Sequence, residues 1–172
     1  MEWSGDVMSN VSTEVAIATT TLGSAASTIT FSSIPATYTD LRLVLVSTAS
    51  GGNGIVRLNS DSGTNYSTTV LIGDGTGAGS SRSTNRTDLG LQQGNVYANN
   101  TIPTLVTFDF FSYAGSTFKT VLMNYAQEFN TDGRVVERVS LWRSTSAITS
   151  IDFSRDSGTY GIGTTATLYG IL

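Results

Sequence analysis

The stretch PTLVTFDFFSYAGSTFKTVLMNYAQ, residues 103–127, decides the fold class. In its first half Val106, Phe108 and Phe110 occupy every second position, which is the period of a half-buried β-strand. A second run of strand-forming residues follows YAGS, a segment of small and turn-forming residues. Two such runs joined by a short turn predict an antiparallel hairpin.

The same pattern of short apolar runs separated by Gly, Ser, Asn and Asp extends along most of the chain, and helical periodicity is almost absent. The further predicted strands are TEVAIAT (13–19), STITFS (27–32), LRLVLVS (41–47), GIVRLN (54–59), YSTTVLI (66–72), GRVVERVSLWR (133–143), ITSIDFS (148–154) and TATLYGIL (165–172). About ten strands without intervening helices predict an antiparallel two-sheet sandwich, with a jelly roll as the expected topology. We expect one sandwich domain over 13–172, preceded by an N-terminal arm over 1–12.

The segment SDSGT lies between the predicted strands 54–59 and 66–72. Asp, Ser and Gly favour tight turns, so this pair is predicted to form a second hairpin. The connection over 73–104 is long, and we expect it to be a displayed loop, with a possible short strand around LGL (89–91).

The composition argues against nucleic-acid binding. The 172 residues are 39% hydrophobic and only 13% charged, with a net charge of −4 and Lys119 as the sole lysine. Binding to phosphates requires a basic stripe. The nearest candidate, Arg134, Arg138 and Arg143, is diluted by Glu137. A surface covered mainly by Ser, Thr, Asn and Gly suits a protein that works outside the cell or within a large assembly.

Two residue types are missing altogether. The chain has no cysteine and no histidine, which excludes disulfides, thiol nucleophiles, cysteine-type zinc sites and a Ser-His-Asp triad. No apolar run approaches the ~18 residues that a membrane helix requires. The first ten residues, MEWSGDVMSN, lack the pattern of a secretory signal, so we expect synthesis in the cytosol and no association with membranes.

The glycine-rich stretch LIGDGTGAGSSRSTNRTDLG (71–90) raises the question of a phosphate-binding loop. Gly73, Gly75, Gly77 and Gly79 alternate strictly, whereas a dinucleotide fingerprint needs G-x-G-x-x-G before a helix. A P-loop requires a lysine that this stretch lacks. The stretch is therefore interpreted as part of the displayed loop.

An ion site is the second alternative. Asn59, Asp61, Gly63 and Asn65 alternate as the oxygen ligands of a calcium loop do. The closing glutamate of such a loop is missing and only one carboxylate is present. The favoured interpretation is a turn whose side chains bond to their own backbone.

An enzyme is the third alternative. Glycoside hydrolysis needs two carboxyl groups facing each other across a cleft, and Asp109, Glu137 and Asp152 are the conceivable partners. Nothing in the sequence brings them together. We therefore expect no catalytic site and no cofactor.

Several motifs, taken in order, resemble a family of virion structural proteins from tailed bacteriophages. They are FSSIP (31–35), TYTDL (37–41), an apolar strand (43–46), the Arg-x-Asn-x-Asp-x-Gly-x-Asn-Tyr-Ser segment (57–67), FKTV (118–121), LWRSTSA (141–147) and the closing TATLYGI (165–171). The resemblance covers residues 21–172, and no catalytic residues come with it.

The resemblance implies a non-enzymatic capsid decoration, or cement, protein that binds capsomers of the major capsid protein as a homotrimer on the capsid exterior. The arm, with Trp3 and Met8, would anchor it to the shell. The alternative is a tail-fibre or receptor-binding tip, in which Tyr97 of the loop 73–104 contacts host glycan. Arg82 and Arg86, in the same loop, are further candidate partner-binding residues.

Overall fold

The computed structural model describes residues 13–90, 101–130 and 132–172, and these residues form strands and no helix. The strands are β1 (Glu14–Thr21), β2 (Thr28–Phe31), β3 (Asp40–Ser47), β4 (Ala49–Ser50), β5 (Gly54–Leu58), β6 (Tyr66–Gly73), β7 (Ala78–Arg86), β8 (Thr104–Phe111), β9 (Lys119–Glu128), β10 (Gly133–Trp142), β11 (Ile151–Arg155), β12 (Thr159–Tyr160) and β13 (Thr165–Ile171). The all-β prediction is confirmed. In the described part of the chain, no helix has the length and hydrophobicity needed to span a bilayer.

Eight strands form one antiparallel sheet in the order β1-β13-β3-β8-β9-β10-β6-β7. The predicted hairpin over 103–127 is confirmed as β8 and β9, with Phe108 opposite Met123. Lys119 begins β9, and its Nζ donates hydrogen bonds to the carbonyl oxygens of Gly115 at 2.6 Å and Thr117 at 2.5 Å. The only lysine of the chain is thus buried, and its two hydrogen bonds stabilise the turn of this hairpin.

Two smaller sheets, β2-β11-β5 and β12-β4, accompany the large one. Phe108 of the large sheet meets Phe153 of β11 edge to face, with ring centroids 5.4 Å apart. This contact joins the two layers and confirms the predicted sandwich. The sheets contain eight, three and two strands, and their strand order does not confirm a jelly roll.

The core lies between the layers and follows the period of two along each strand. On β8 the residues Val106, Phe108 and Phe110 are buried, while Leu105 and Phe111 are exposed. The exposed side of the large sheet, facing away from the smaller sheets, is called the outer face below. The alternation seen in the sequence therefore separates a core-facing set from an outward-facing set.

The predicted hairpin of 54–59 with 66–72 is wrong, because β5 pairs with β11 while β6 pairs with β10 and β7. The intervening turn crosses from one sheet to the other. Asn59 holds it there: its Oδ1 accepts hydrogen bonds from the backbone N–H of Thr149 and Ser150, at 2.8 and 3.1 Å. Turn-forming residues allow a crossover as readily as a hairpin.

The predicted displayed loop over 73–104 is also wrong for its first part, since 78–86 is strand β7. Asp74 makes the turn, because its Oδ1 accepts hydrogen bonds at 3.0 Å from the backbone N–H of Thr76 and Gly77. β7 pairs with β6 through backbone hydrogen bonds, which do not require an apolar pattern. Leu89 and Gly90 are not in a strand.

Candidate interaction surface

The outer face carries apolar side chains that remain exposed to solvent. On a sheet with one face against the core, the other face is usually polar. Here the exposed apolar residues are Val46, Leu71, Leu105, Phe111, Val135 and Val139. Val135, at 70%, is the most exposed of them. The outer face is therefore the candidate functional surface of the described residues.

Strand register places part of this set in a continuous row. Val46 of β3 lies opposite Leu105 of β8, Leu105 opposite Ala126 of β9, and Ala126 opposite Val135 of β10. Directly opposed side chains in antiparallel sheets are about 5 Å apart, within contact distance. These four residues, called the apolar row below, cross four adjacent strands without a charge.

A shallow groove of about 630 Å³ adjoins the apolar row. Leu105, Ala126 and Val135 of the row line it, together with residues 73–75 of the β6–β7 turn. A second groove of about 240 Å³ lies further along the face, between Leu71 and Val139. The face is thus a broad, indented surface with exposed apolar side chains, which suits contact with another macromolecule better than enclosure of a small substrate.

The charges at one side of the face form two ion pairs on a single arginine. Arg42 bonds through Nε to Asp109 Oδ1 at 2.7 Å and through Nη1 to Glu14 Oε1 at 2.8 Å. The hydrogen bond to Asp109 is the main reason that the pKa of Arg42 is raised above its ordinary value. Such exposed pairs contribute little to stability, but they give each of these three charges a partner within the chain.

The structure separates the two arginines that were predicted to bind a partner. Arg82 is exposed on β7, opposite Thr69, and therefore lies on the outer face. Arg86 has a side chain only 14% exposed, and its Nη2 contacts Asp88 Oδ1 at 2.7 Å. Arg86 therefore has a partner inside the chain. Trp3, Met8 and Tyr97, like the arm over 1–12, lie outside the described residues.

A buried cluster that was not predicted from the sequence lies beside this ion pair. Arg138 is almost fully buried, near Arg86 and Asp88, and burial followed by the charge of Arg86 lowers its pKa to about 10. Gly90 fits against the two guanidinium groups, where a Cβ atom would approach Arg138 Nη1 to 2.7 Å. The alternation of β10 could have indicated an inward Arg138, because Val136 and Ser140 share its face.

The three arginines considered for nucleic-acid binding do not form an exposed stripe. Arg138 is buried, and Arg143 donates hydrogen bonds to the carbonyl oxygen of Thr64 and, at 3.2 Å, to Asn85 Oδ1. Arg134 adjoins the larger groove on β10. These three arginines therefore do not provide one continuous basic surface.

The three carboxylates considered for catalysis lie apart. Asp109 is bonded to Arg42, and Glu137 is exposed on β10. Asp152 is on the smaller sheet, where it accepts hydrogen bonds from Thr30 at 2.9 Å and Ser60 at 2.8 Å. Asp109 and Glu137 thus share the outer face, on β8 and β10 with β9 between them, whereas Asp152 belongs to the other sheet. Among the described residues, no group of three or more Asp, Glu, His or Cys side chains could hold a metal ion.

The residues considered for an ion site bond within the protein. Asp61 Oδ1 accepts a hydrogen bond from the backbone N–H of Gly63 at 2.8 Å, and Oδ2 accepts from Asn65 Nδ2 at 2.9 Å and Trp142 Nε1 at 2.7 Å. Desolvation by burial raises the pKa of Asp61, but these three hydrogen bonds outweigh it and lower the pKa below 3.8. Of the predicted bonds between side chains and their own turn backbone, the one from Gly63 to Asp61 is present, but Asp61 and Asn59 also bond to the distant residues Trp142 and Thr149.

Replacing Asp61 with asparagine is expected to destabilise the fold by about 1–3 kcal/mol at neutral pH, because an amide cannot accept from all three donors. The lowered pKa means that the ionised Asp61 stabilises the fold above pH 3.8 and that this stabilisation is lost as the pH falls through the folded-state pKa. Urea unfolding of both proteins from pH 7 to pH 2 measures the effect. The difference between them should shrink at the acid end.

Asp74→Asn is the matched control, because Asp74 also accepts hydrogen bonds within a turn, but from the exposed residues Thr76 and Gly77 and not from a buried side chain such as Trp142. We expect a much smaller change than for Asp61→Asn. Equal effects would contradict the role assigned to the contact between Asp61 and Trp142.

Comparison with protein-family models, with characterised proteins and with solved structures found no significant match to this chain.

Proposed function

We propose that the protein is a non-enzymatic virion structural protein of a tailed bacteriophage, made in the host cytoplasm and assembled onto the capsid exterior. In this role it decorates the shell and binds capsomers as a closed homo-oligomer, which the family resemblance implies is a trimer. The tail, as part of a receptor-binding tip, is the alternative location.

The observation that carries the proposal is the exposed apolar outer face. Soluble monomers rarely expose large contiguous apolar patches, and such patches mark interaction sites. The apolar row and the flanking Leu71 and Val139 extend over β3, β8, β9, β10 and β6. A subunit of a permanent assembly buries such a surface against other subunits, whereas a freely diffusing monomeric enzyme would leave it exposed to water.

The low charge content also supports the proposal. Only 13% of the residues are charged, against roughly 25% in typical soluble domains. The ion pairs of Arg42 with Asp109 and Glu14 neutralise part of that small number. Subunits that carry few charged side chains can be brought close together in a shell at little electrostatic cost.

The proposal predicts saturable binding to phage capsids that lack this protein, with about one copy per capsid subunit under the decoration hypothesis. The arm is the expected anchor, so the double substitution Trp3→Ser with Met8→Ser should weaken binding by about 30-fold, the effect of losing a central aromatic contact. Co-sedimentation of the full-length protein with capsids measures both.

Ser4→Ala with Ser9→Ala is the matched control in the same arm, and we expect it to bind as the wild type does. Binding that is unaffected by loss of Trp3 and Met8 would contradict the anchor. No binding to capsids, together with binding to host cells that is competed by host glycan, would reject decoration in favour of the tail-tip alternative.

A further inference from the structure

We propose that the outer face packs against the outer face of a second copy of this chain, around the symmetry axis of a closed oligomer. This inference rests on the proposed function in one respect, since it names the occupant of the interaction surface described above. It adds a specific patch, a specific pair of charges and a test that does not involve capsids.

The size of the face is the first argument. Eight strands spaced about 4.8 Å apart, each about eight residues long, give a face of roughly 34 Å by 26 Å, or about 900 Å². A standard protein interface buries about 800 Å² on each partner. The outer face therefore has the area that a stable association of identical subunits requires.

The distribution of polarity is the second argument. Interfaces between subunits combine apolar contacts with hydrogen bonds. Leu105 and Val135 lie in the apolar row, and the next row across the same strands β8, β9 and β10 holds the polar residues Thr107, Asn124 and Glu137. The outer face thus offers both apolar and hydrogen-bonding contacts to a matching face.

Charge complementarity between copies is the third argument. Glu137 is an exposed carboxylate on β10, and Arg82 is an exposed guanidinium on β7 of the same face. Neither forms an ion pair with another described residue. When identical faces meet around a two-fold or three-fold axis, residue i of one copy faces residue j of the next. Glu137 of one copy can then pair with Arg82 of its neighbour.

The decisive experiment compares the mass in solution of the wild-type chain with that of Val135→Glu and Ile162→Glu. Val135 and Ile162 are matched in chemistry and in exposure, at 70% and 71%, but Ile162 lies in the turn between β12 and β13. We expect a closed oligomer for the wild type and for Ile162→Glu. Val135→Glu should raise the dissociation constant at least about tenfold, because it places a charge in the apolar row. Sedimentation velocity over a concentration series gives the masses, and far-ultraviolet circular dichroism checks the fold.

Exchanging the charges at positions 137 and 82 gives a second, independent test of the association between copies. Glu137→Arg and Arg82→Glu should each weaken association, and the double variant should restore it, because the pair is reversed and not removed. A double variant that is weaker than both single variants would overturn the pairing of these residues.

A wild-type chain that is monomeric at every concentration, or whose association Val135→Glu leaves unchanged, would overturn the inference. These results are separable from those of the proposed function. A monomer that still saturates capsids overturns the self-association, and with it the closed homo-oligomer, but leaves capsid decoration standing. A Val135-dependent oligomer that binds no capsid overturns only the decoration role.

Discussion

Replacing Phe108 with alanine is expected to lower the free energy of unfolding by about 4 kcal/mol, in the range of other buried phenylalanine truncations. Phe108 is 1% exposed and lies on the inner face of β8. Its ring meets Phe153 of the smaller sheet edge to face and stacks near Phe110 of its own strand. The substitution leaves a cavity at the contact between the two layers, and urea unfolding measures the loss.

Phe111→Ala is the matched control, because it removes the same side chain from the same strand. Phe111 is 43% exposed on the outer face, so its loss should change the free energy of unfolding by about 0.5 kcal/mol or less. Similar losses in both variants would contradict the assignment of the two faces. A double-mutant cycle of Phe108→Ala with Phe153→Ala should give a coupling of about 0.5–1.5 kcal/mol for the aromatic pair.

The alternation of residue types predicts most of this fold, because a period of two is a local property of each strand. It places Val106, Phe108 and Phe110 in the core and leaves Leu105 and Phe111 outside, as the structure confirms. The alternation does not predict which strands pair with each other. β5 and β6 are neighbours in sequence, but the contacts of Asn59 and Asp61 with distant residues direct them into separate sheets. A local pattern carries no information about those contacts.

The candidate surface is predictable from the sequence only in part. The exposed apolar row can be found once the register is known. Val46, Leu105 and Val135 each stand next to a buried residue in their own strand, so their side chains point to the outer face. The register itself depends on long-range pairing. β7 was not predicted for another reason. Its Gly and Ser residues show no alternation of apolar and polar side chains, and backbone hydrogen bonds pair it with β6.

Replacing Gly158 with alanine is expected to be among the most disruptive single-methyl changes in the chain. Gly158 has φ of +75°, and an added Cβ would lie 1.6 Å from the carbonyl oxygen of Ser50 in β4. That overlap forces β12 away from β4, where Thr159 pairs with Ser50. Tyr160, the next residue on β12, is buried and would be displaced with it.

Gly163→Ala isolates this overlap from backbone strain. Gly163 has φ of +80° but no atom within 4 Å of the added Cβ, so alanine there should cost only about 1–2 kcal/mol for the left-handed conformation. Gly158→Ala carries the same strain, and the steric overlap should add about 3 kcal/mol, the upper range for overpacking. Urea unfolding of the two variants at one pH gives the difference. Equal losses would mean that β4 and β12 separate without cost, and that this two-stranded sheet does not contribute to the stability of the fold.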